Sequence, residues 1–317
     1  MCFGLFCLNA NEPRIGGGIA ISKLDISFVP QKFLNLPYAS KSEAQKLDLY
    51  LPKRSNQPYA VIVVFHGGGF MMGDKAMGEV QGAIDGVKRG YAVISANYRL
   101  SGEATFPSAI NDAKAVIRWV RANAKTYNFD ADKIVVWGGS AGGNIASMIG
   151  VTGDLQAIGE NDNTQNLEYS SKVQVVIDWF GPLDFLSMDT QFKQSSVKRR
   201  AIRGSLLTSD INSPESKYIG KLITLDPTLT QKANPASYLH LLTPSNAPYF
   251  FIEHGDSDTL VPTQQSIDFA NLLEKHIGSK KVKLEVLKGA DHGSDEFDSK
   301  ENLDKVYDFI AQALSTK

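Results

Sequence analysis

Cysteine is scarce in this sequence, and its scarcity limits the kinds of protein that the chain can be. Only Cys2 and Cys7 occur in 317 residues, and both lie within the first ten. Two cysteines so placed supply neither a disulfide framework nor a cysteine-ligated metal cluster for a core of this size. The sequence therefore predicts a core held by apolar packing in a reducing compartment, with a cytoplasmic location as the first expectation.

Net charge and long apolar runs are also lacking. The formal net charge is −1, which gives no support to binding of nucleic acid or of anionic membranes. No apolar run approaches the roughly 20 residues that span a bilayer. The first 14 residues are apolar but carry no Lys or Arg before Arg14, and their apolar run is short for a secretion signal, so a cleaved signal is the minor alternative.

Strand-like and helix-like runs alternate from residue 60 to the end of the chain. This alternation predicts βαβ units and a mostly parallel sheet in an α/β fold. Two antiparallel edge strands are expected to precede it, at 19–29 and 45–51. The further strand candidates are 60–66, 91–96, 133–138, 173–180, 249–254 and 282–287, and the clearest helices are expected at 107–127 and 296–314.

About eight strands predict one sheet, and one sheet predicts one domain. Residues 1–35 form an N-terminal segment with an edge strand, and residues 36–317 form the domain. Residues 185–246 interrupt the alternation, because they are rich in Ser, Lys, Asn and Pro and are too long for a simple connection. We expect a helical insertion there, lying over the carboxyl edge of the sheet like a cap.

A nucleophile elbow is predicted at "VVWGGSAGGN", residues 135–144. Gly138-x-Ser140-x-Gly142 stands between an apolar strand and a helix-compatible run, which is the context in which Gly-x-Ser-x-Gly presents a reactive serine. The turn is strained, and a side chain at either flanking glycine would collide with neighbouring backbone. Ser140 is therefore the candidate nucleophile.

A serine hydroxyl needs a histidine base, and that histidine needs an orienting carboxylate. Of the five histidines, His292 lies in a glycine-bounded loop after the last strand and leaves room for an acid between it and Ser140 in the chain. "EHGDSDTLVP" offers Asp256 and Asp258, and Asp184 follows the preceding strand. We favour Asp258, with Asp184 as the alternative.

Taken together, these motifs resemble those of the α/β-hydrolase esterases. "HGGGF", "GGSAGG", "HGDSDTLVP" and "GADHG" carry the resemblance. More narrowly, "YASKSEAQKLDLYLP" and "WFGPLDF" resemble the bacterial acyl-ester hydrolases that include bifunctional feruloyl and acetyl-xylan esterases. The resemblance covers roughly residues 36 to 314, and it implies Ser140 as nucleophile, Asp258 as acid and His292 as base.

The three glycines of "HGGGF" predict an oxyanion hole. Attack by Ser140 on an acyl carbon creates an oxyanion, which must be held by donors already in place. The N–H groups of Gly67, Gly68 and Ala141 are the predicted donors. His66 is expected to brace this loop rather than to transfer protons.

The expected function is hydrolysis of short-chain acyl esters through an acyl-enzyme, without a metal or organic cofactor. The expected partner is a small-molecule or carbohydrate ester, such as an acetylated or feruloylated sugar. Phe70, Met71 and Met72 are expected either to wall the substrate pocket or to be plain core packing. The alternatives are an amidase or formamidase of the same fold, and a non-catalytic ligand-binding protein; a serine peptidase would need an additional domain.

Overall fold

The computed structural model describes residues 14–15, 19–20, 23–155, 158, 165–202 and 204–316. Cys2 and Cys7, together with the apolar opening residues considered as a secretion signal, lie outside this part of the chain. Among the helices within it, none combines the length and the apolar character that crossing a membrane requires.

The described strands form one large sheet and one small hairpin. The hairpin pairs β1 with β2, and the sheet has the order β10-β9-β8-β7-β5-β6-β4-β3. The strands are β1 (Arg14–Ile15), β2 (Ile19–Ala20), β3 (Gln31–Pro37), β4 (Lys46–Leu51), β5 (Tyr59–Phe65), β6 (Ala92–Ala96), β7 (Phe129–Gly139), β8 (Val175–Trp179), β9 (Tyr249–Gly255) and β10 (Val282–Leu287).

Six neighbouring strands, from β10 to β6, pair in parallel, whereas β4 and β3 join antiparallel at one edge. The central strands are apolar along their whole length because both faces of a parallel sheet are covered. Successive residues of β5 accordingly point to opposite faces: Val61 and Val63 enter one apolar cluster, and Ile62 and Val64 enter the other.

Helices cover both faces of the sheet. Residues of α2, α4 and α8 pack into one cluster, and residues of α1 and α9 pack into the other. The α-helices are α1 (Gln81–Ile84), α2 (Ser108–Ala122), α3 (Ala124–Tyr127), α4 (Ala141–Thr152), α5 (Met188–Gln194), α6 (Pro214–Ile219), α7 (Pro227–Gln231), α8 (Gln264–Ile277) and α9 (Lys300–Ser315), and 3₁₀ helices lie at Gly78–Val80, Asp85–Arg89, Pro235–Leu241 and Ser279–Lys281.

The predicted α/β fold with about eight mostly parallel strands is confirmed, but one edge strand was wrongly placed. Among the described residues of the run 19–29, Ile19–Ala20 is the one strand, and it pairs with β1 outside the large sheet. Gln31–Pro37 supplies the sheet edge instead, crossing the predicted boundary at residue 36. Most of β3 is exposed, so it lacks the apolar alternation that reveals a half-buried strand.

Residues 185–246 contain α5, α6, α7 and the 3₁₀ helix at Pro235–Leu241. Part of this segment lies against the glycine loop that follows β5. A Cβ built on Gly69 would lie 3.0 Å from Pro214 Cβ in α6. The ring of Tyr218, also in α6, stacks on Phe70 with 3.8 Å between centroids. These contacts bring the segment to the carboxyl end of β5.

Candidate active site

Ser140 occupies a sharp turn between β7 and α4. Its backbone has φ 56° and ψ −122°, a conformation that costs a non-glycine residue free energy and that recurs at functional sites. The Ser140 N–H donates to Trp179 O on the adjacent strand at 2.8 Å, which ties the turn to the sheet. This is the geometry of the predicted elbow, with the serine side chain held above the strand ends.

The carboxyl ends of neighbouring strands bring the three predicted residues of the triad together. Ser140 follows β7, Asp258 follows β9 and His292 follows β10. Ser140 Oγ lies 2.9 Å from His292 Nε2, and His292 Nδ1 lies 2.8 Å from Asp258 Oδ2. Since a carboxylate only accepts, Nδ1 carries the proton and Nε2 is left to accept from the serine hydroxyl.

Asp258 is held as an ionised carboxylate. Its Oδ1 accepts from the N–H groups of Leu260 and Val261, each at 2.8 Å. Burial alone would raise the pKa of Asp258, but the electrostatic interaction with His292 and hydrogen bonds from His254 and His292 outweigh it and hold the pKa of this carboxyl well below its ordinary value.

His254 is a second histidine on the same carboxylate. Its Nε2 lies 3.2 Å from Asp258 Oδ2 and 3.0 Å from Val261 O. Both neighbours are acceptors, so Nε2 carries the proton, and the Ser266 hydroxyl then donates to Nδ1 at 2.7 Å. The sequence analysis did not select His254, although its position four residues before the favoured acid was a usable signal.

The two rival acids have other contacts. Asp256 Oδ1 accepts from Gly289 N at 2.6 Å and from the Ser257 hydroxyl at 3.0 Å, which is the turn-forming use of aspartate. The backbone of Asp184 is bound to Gln265, whose Oε1 accepts from Asp184 N at 2.6 Å. His292 therefore has Asp258, and neither rival, as its carboxylate partner.

The glycine loop differs from expectation at Gly67. Its N–H donates to Glu79 Oε1, in the 3₁₀ helix at Gly78–Val80, and is thus not directed at a substrate. The assignment of Gly67 to the oxyanion hole is corrected for this reason. Nothing in the sequence signalled that a carboxylate 12 residues later would fold back onto this N–H.

Gly68 and Ala141 stay the predicted oxyanion donors, and Gly69, which was not predicted, joins them as a candidate. Gly68 and Gly69 have φ values of 95° and 60°, and Ala141 is the first residue of α4. Within the described part of the chain, the N–H groups of these three residues make no hydrogen bond. Consecutive peptide N–H groups in such conformations form concave anion sites, as does a helix N-terminus.

His66 holds the glycine loop in place through contacts with Gly67 and Tyr98. Its Nδ1–H donates to Gly67 O at 2.8 Å, and its ring stacks on Tyr98 with 4.5 Å between centroids. Burial lowers the pKa of His66 to about 4, so this imidazole is neutral at pH 7. These contacts agree with the bracing role that the sequence predicts.

Comparison with known proteins identifies the family to which this arrangement belongs. The model of the BD-FAE family matches residues 47–273, more than half of the 317-residue chain. The chain belongs to the BD-FAE family. The match runs from β4 into α8 and so includes the glycine loop, the elbow and Asp258.

Relatives of this BD-FAE member carry esterase names. Esterase LipQ of Mycobacterium tuberculosis is 30% identical over 66% of this chain and 44% of its own length. Isoprenylcysteine alpha-carbonyl methylesterase ICMEL1 of Arabidopsis thaliana, named as probable, is 27% identical over 78% of this chain and 48% of its own. The chain thus spans about half the length of these curated relatives.

A solved structure matches over its whole length. The truncated form of a carbohydrate esterase from gut microbiota is 29% identical, with a TM-score of 0.79, and the match covers 93% of this chain and 100% of that one. A bifunctional GH43-CE protein of Bacteroides eggerthii is 31% identical, with a TM-score of 0.77, over 90% of this chain and 35% of that one.

Of Phe70, Met71 and Met72, only Phe70 has contacts that favour one of the two roles considered for them. Phe70 is only 1% exposed, and its ring packs against Tyr218 and Phe185, so it is core packing. Met71 and Met72 are half-buried, and their N–H groups donate to Gly68 O at 3.1 and 3.2 Å. They shape the turn of the glycine loop, and a role for their side chains in walling the substrate pocket stays a prediction.

Phe180 is a further site residue that sequence reasoning did not select. Its ring centroid lies 4.6 Å from that of His292, and its edge contacts the position where a Gly139 Cβ would be, at 3.1 Å. Phe180 follows β8 in "WFGPLDF", a motif that contributed Asp184 and the family resemblance to the sequence analysis but not Phe180. The ring packs the base against the elbow and limits the orientations of the imidazole.

Alanine at Gly142 tests the packing of the elbow. A Cβ there would lie 2.1 Å from Phe65 O in β5, and neither backbone segment can move freely. We expect Gly142→Ala to lower the free energy of unfolding by about 3 kcal/mol, or to prevent folding. Urea unfolding followed by tryptophan fluorescence measures the change.

Gly102 provides the matched control for this substitution. It is exposed, and a Cβ there would meet nothing within 4 Å. We expect Gly102→Ala to change the free energy of unfolding by no more than about 0.5 kcal/mol. Equal stabilities of the two variants would contradict the packing described for the elbow.

Proposed function

We propose that this BD-FAE member is a serine carboxylic-ester hydrolase that acts on short-chain acyl esters. The observation that best supports this proposal is a continuous chain of hydrogen bonds through His292. Its Nδ1 lies 2.8 Å from Asp258 Oδ2, and its Nε2 lies 2.9 Å from Ser140 Oγ. In this arrangement a neutral imidazole faces the hydroxyl of a serine on a strained elbow, which is the requirement for acyl transfer.

The first half of the reaction forms an acyl-enzyme. Ser140 Oγ attacks the acyl carbon while its proton passes to His292 Nε2, and the carbonyl oxygen becomes an oxyanion. The N–H groups of Gly68, Gly69 and Ala141 hold this oxyanion, and each such donor contributes roughly 3–4 kcal/mol to transition-state stabilisation. The ester C–O bond then breaks, and His292 gives its proton to the departing alcohol.

The second half regenerates the enzyme. His292 Nε2 takes a proton from water, whose oxygen attacks the acyl carbon. The tetrahedral intermediate then collapses, the bond to Ser140 Oγ breaks, and the serine recovers its proton from His292. Asp258 remains ionised throughout and stabilises the imidazolium that forms twice in the cycle.

A carbohydrate ester is the substrate class that we propose. The solved carbohydrate esterase that matches 93% of this chain supports it. We further propose that residues 185–246 wall the substrate pockets, because α6 contacts the glycine loop at Gly69 and Phe70.

The scarcity of cysteine supports a cytoplasmic location, which cell fractionation would test.

Initial rates on three substrates test the proposed function. We expect nitrophenyl acetate to exceed nitrophenyl octanoate in kcat/KM by at least about tenfold, because a short acyl pocket does not seat the longer chain. An N-formyl amide should be the poorest substrate. Preferential cleavage of the amide would instead support the amidase alternative, and turnover of none of the three would support a non-catalytic ligand-binding protein.

A further inference from the structure

Glu79 brings a second carboxylate beside the nucleophile. Its Oε1 accepts from Gly67 N–H, at the start of the glycine loop. A Cβ built on Gly67 would lie 3.2 Å from Ser140 Cβ and 3.5 Å from Glu79 Oε1. Ser140 and the Glu79 carboxylate therefore both lie close to Gly67, although the hydrolytic cycle assigns no task to Glu79.

Glu79 has far more acceptor capacity than its neighbours use. An ionised carboxylate offers about four lone-pair positions. Within the described residues, the Glu79 carboxylate accepts one hydrogen bond, from Gly67 N–H. No ion pair in the same part of the chain includes Glu79. Glu79 is half-buried, so part of the residue reaches the protein surface.

The groups around Glu79 do not offset the cost of burying its carboxylate. Burial raises the pKa of Glu79, and the hydrogen bond from Gly67 and the nearby His292 oppose this rise, whereas Asp298 adds to it. A partly desolvated carboxylate with one peptide donor is costly to maintain without a further partner. A donor that arrives with the substrate would supply that partner.

We propose that Glu79 accepts a hydrogen bond from a free hydroxyl of the substrate's alcohol portion, near the scissile ester. Glu79 thereby selects partly esterified diols and sugars over esters of simple alcohols. The inference rests on the proposed esterase function and narrows its substrate class. The alcohol portion is specified because an unsubstituted short acyl group, such as acetyl, carries no hydrogen-bond donor.

Two acetate esters that differ by one methyl group test the inference. 2-Hydroxyethyl acetate carries a free hydroxyl, and 2-methoxyethyl acetate has the same oxygen without its proton. We expect the wild-type protein to prefer the hydroxyl ester in kcat/KM by about tenfold, the scale of one hydrogen bond to a charged group. Titration of the released acetic acid in a pH-stat follows both substrates directly.

Two variants separate substrate recognition from support of the loop. Glu79→Gln keeps an oxygen that accepts from Gly67 N–H and places an amide N–H₂ group toward the ligand. This N–H₂ group donates equally well to a hydroxyl oxygen or a methoxy oxygen. We expect the ratio of kcat/KM values for the two esters to fall to about one in Glu79→Gln and in Glu79→Ala. Glu43→Gln, at an exposed position, is the matched control and should keep the wild-type ratio.

Each other outcome overturns the inference. A wild-type ratio near one, or a ratio unchanged in both variants, means that Glu79 does not bind the hydroxyl. Equal losses on both esters mean that it only supports the loop. If Glu79→Ala fails to fold, Glu79→Gln decides. Ser140-dependent hydrolysis of nitrophenyl acetate without hydroxyl preference defeats this inference alone, whereas no hydrolysis of any ester defeats the proposed function as well.

Discussion

Ser140→Ala and His292→Ala should each lower kcat/KM for nitrophenyl acetate by at least about ten-thousandfold. The first removes the oxygen that attacks the ester, and the second removes the base 2.9 Å from it. The two residues act as one unit, so the double variant should be no worse than either single one. Initial rates, corrected for spontaneous hydrolysis, measure the loss.

His276 provides the control for loss of an imidazole. It is exposed on α8, where its ring contacts Leu242 O at 3.2 Å, and it has no place in the proposed mechanism. His276→Ala should keep nearly full activity. If Ser140→Ala or His292→Ala retained more than a thousandth of the wild-type rate with its fold intact, the assignment of nucleophile and base would have to be abandoned.

Asp258→Asn should lower kcat by about ten-thousandfold through the tautomer of His292. The N–H groups of Leu260 and Val261 donate to Oδ1 of Asp258, so we expect the amide oxygen of the variant to stay in that place. Its NH₂ group would then replace Oδ2 and face both His292 and His254, and His254 Nε2 would keep Val261 O as its acceptor. His292 Nδ1 would then have to accept, which places the proton on Nε2. An imidazole protonated on Nε2 cannot take the proton of Ser140.

Asp184→Asn is the matched control, because Asp184 was the alternative acid. Its backbone, rather than its carboxylate, makes the contacts with Gln265 and Ser187, so the activity of this variant should stay close to wild type. Steady-state kinetics of both variants on nitrophenyl acetate decide between them. A crippled Asp184→Asn beside an active Asp258→Asn would move the acid one strand earlier in the chain.

Much of the fold was predictable because the central strands are apolar on both faces. Runs such as that of β5 are short, uncharged and rich in Val and Ile, and these features together indicate strands of a covered parallel sheet. The order of Ser140, Asp258 and His292 along the chain could also be predicted, because each residue follows a recognisable strand. Parallel strands then place all three at one edge of the sheet.

The features that could not be predicted from the sequence were missed for physical reasons. The exposed strand β3 is stabilised by pairing with β4, and pairing leaves no apolar pattern in the sequence. Glu79 reaches Gly67 through a tertiary contact within a loop, which spacing does not reveal. Phe70 could be packing or pocket wall from its residue type alone, and its stacking on Tyr218 depends on a helix more than a hundred residues later.

Labelling with a fluorophosphonate tests the central claim most directly, because the reagent forms a stable bond only with a serine that its own site has activated. Intact mass measurement followed by peptide mapping locates the adduct. We predict one phosphonyl group per chain, on the peptide that contains Ser140, and none on Ser140→Ala. An unlabelled wild-type protein, or an adduct that persists on another residue in Ser140→Ala, would contradict the account.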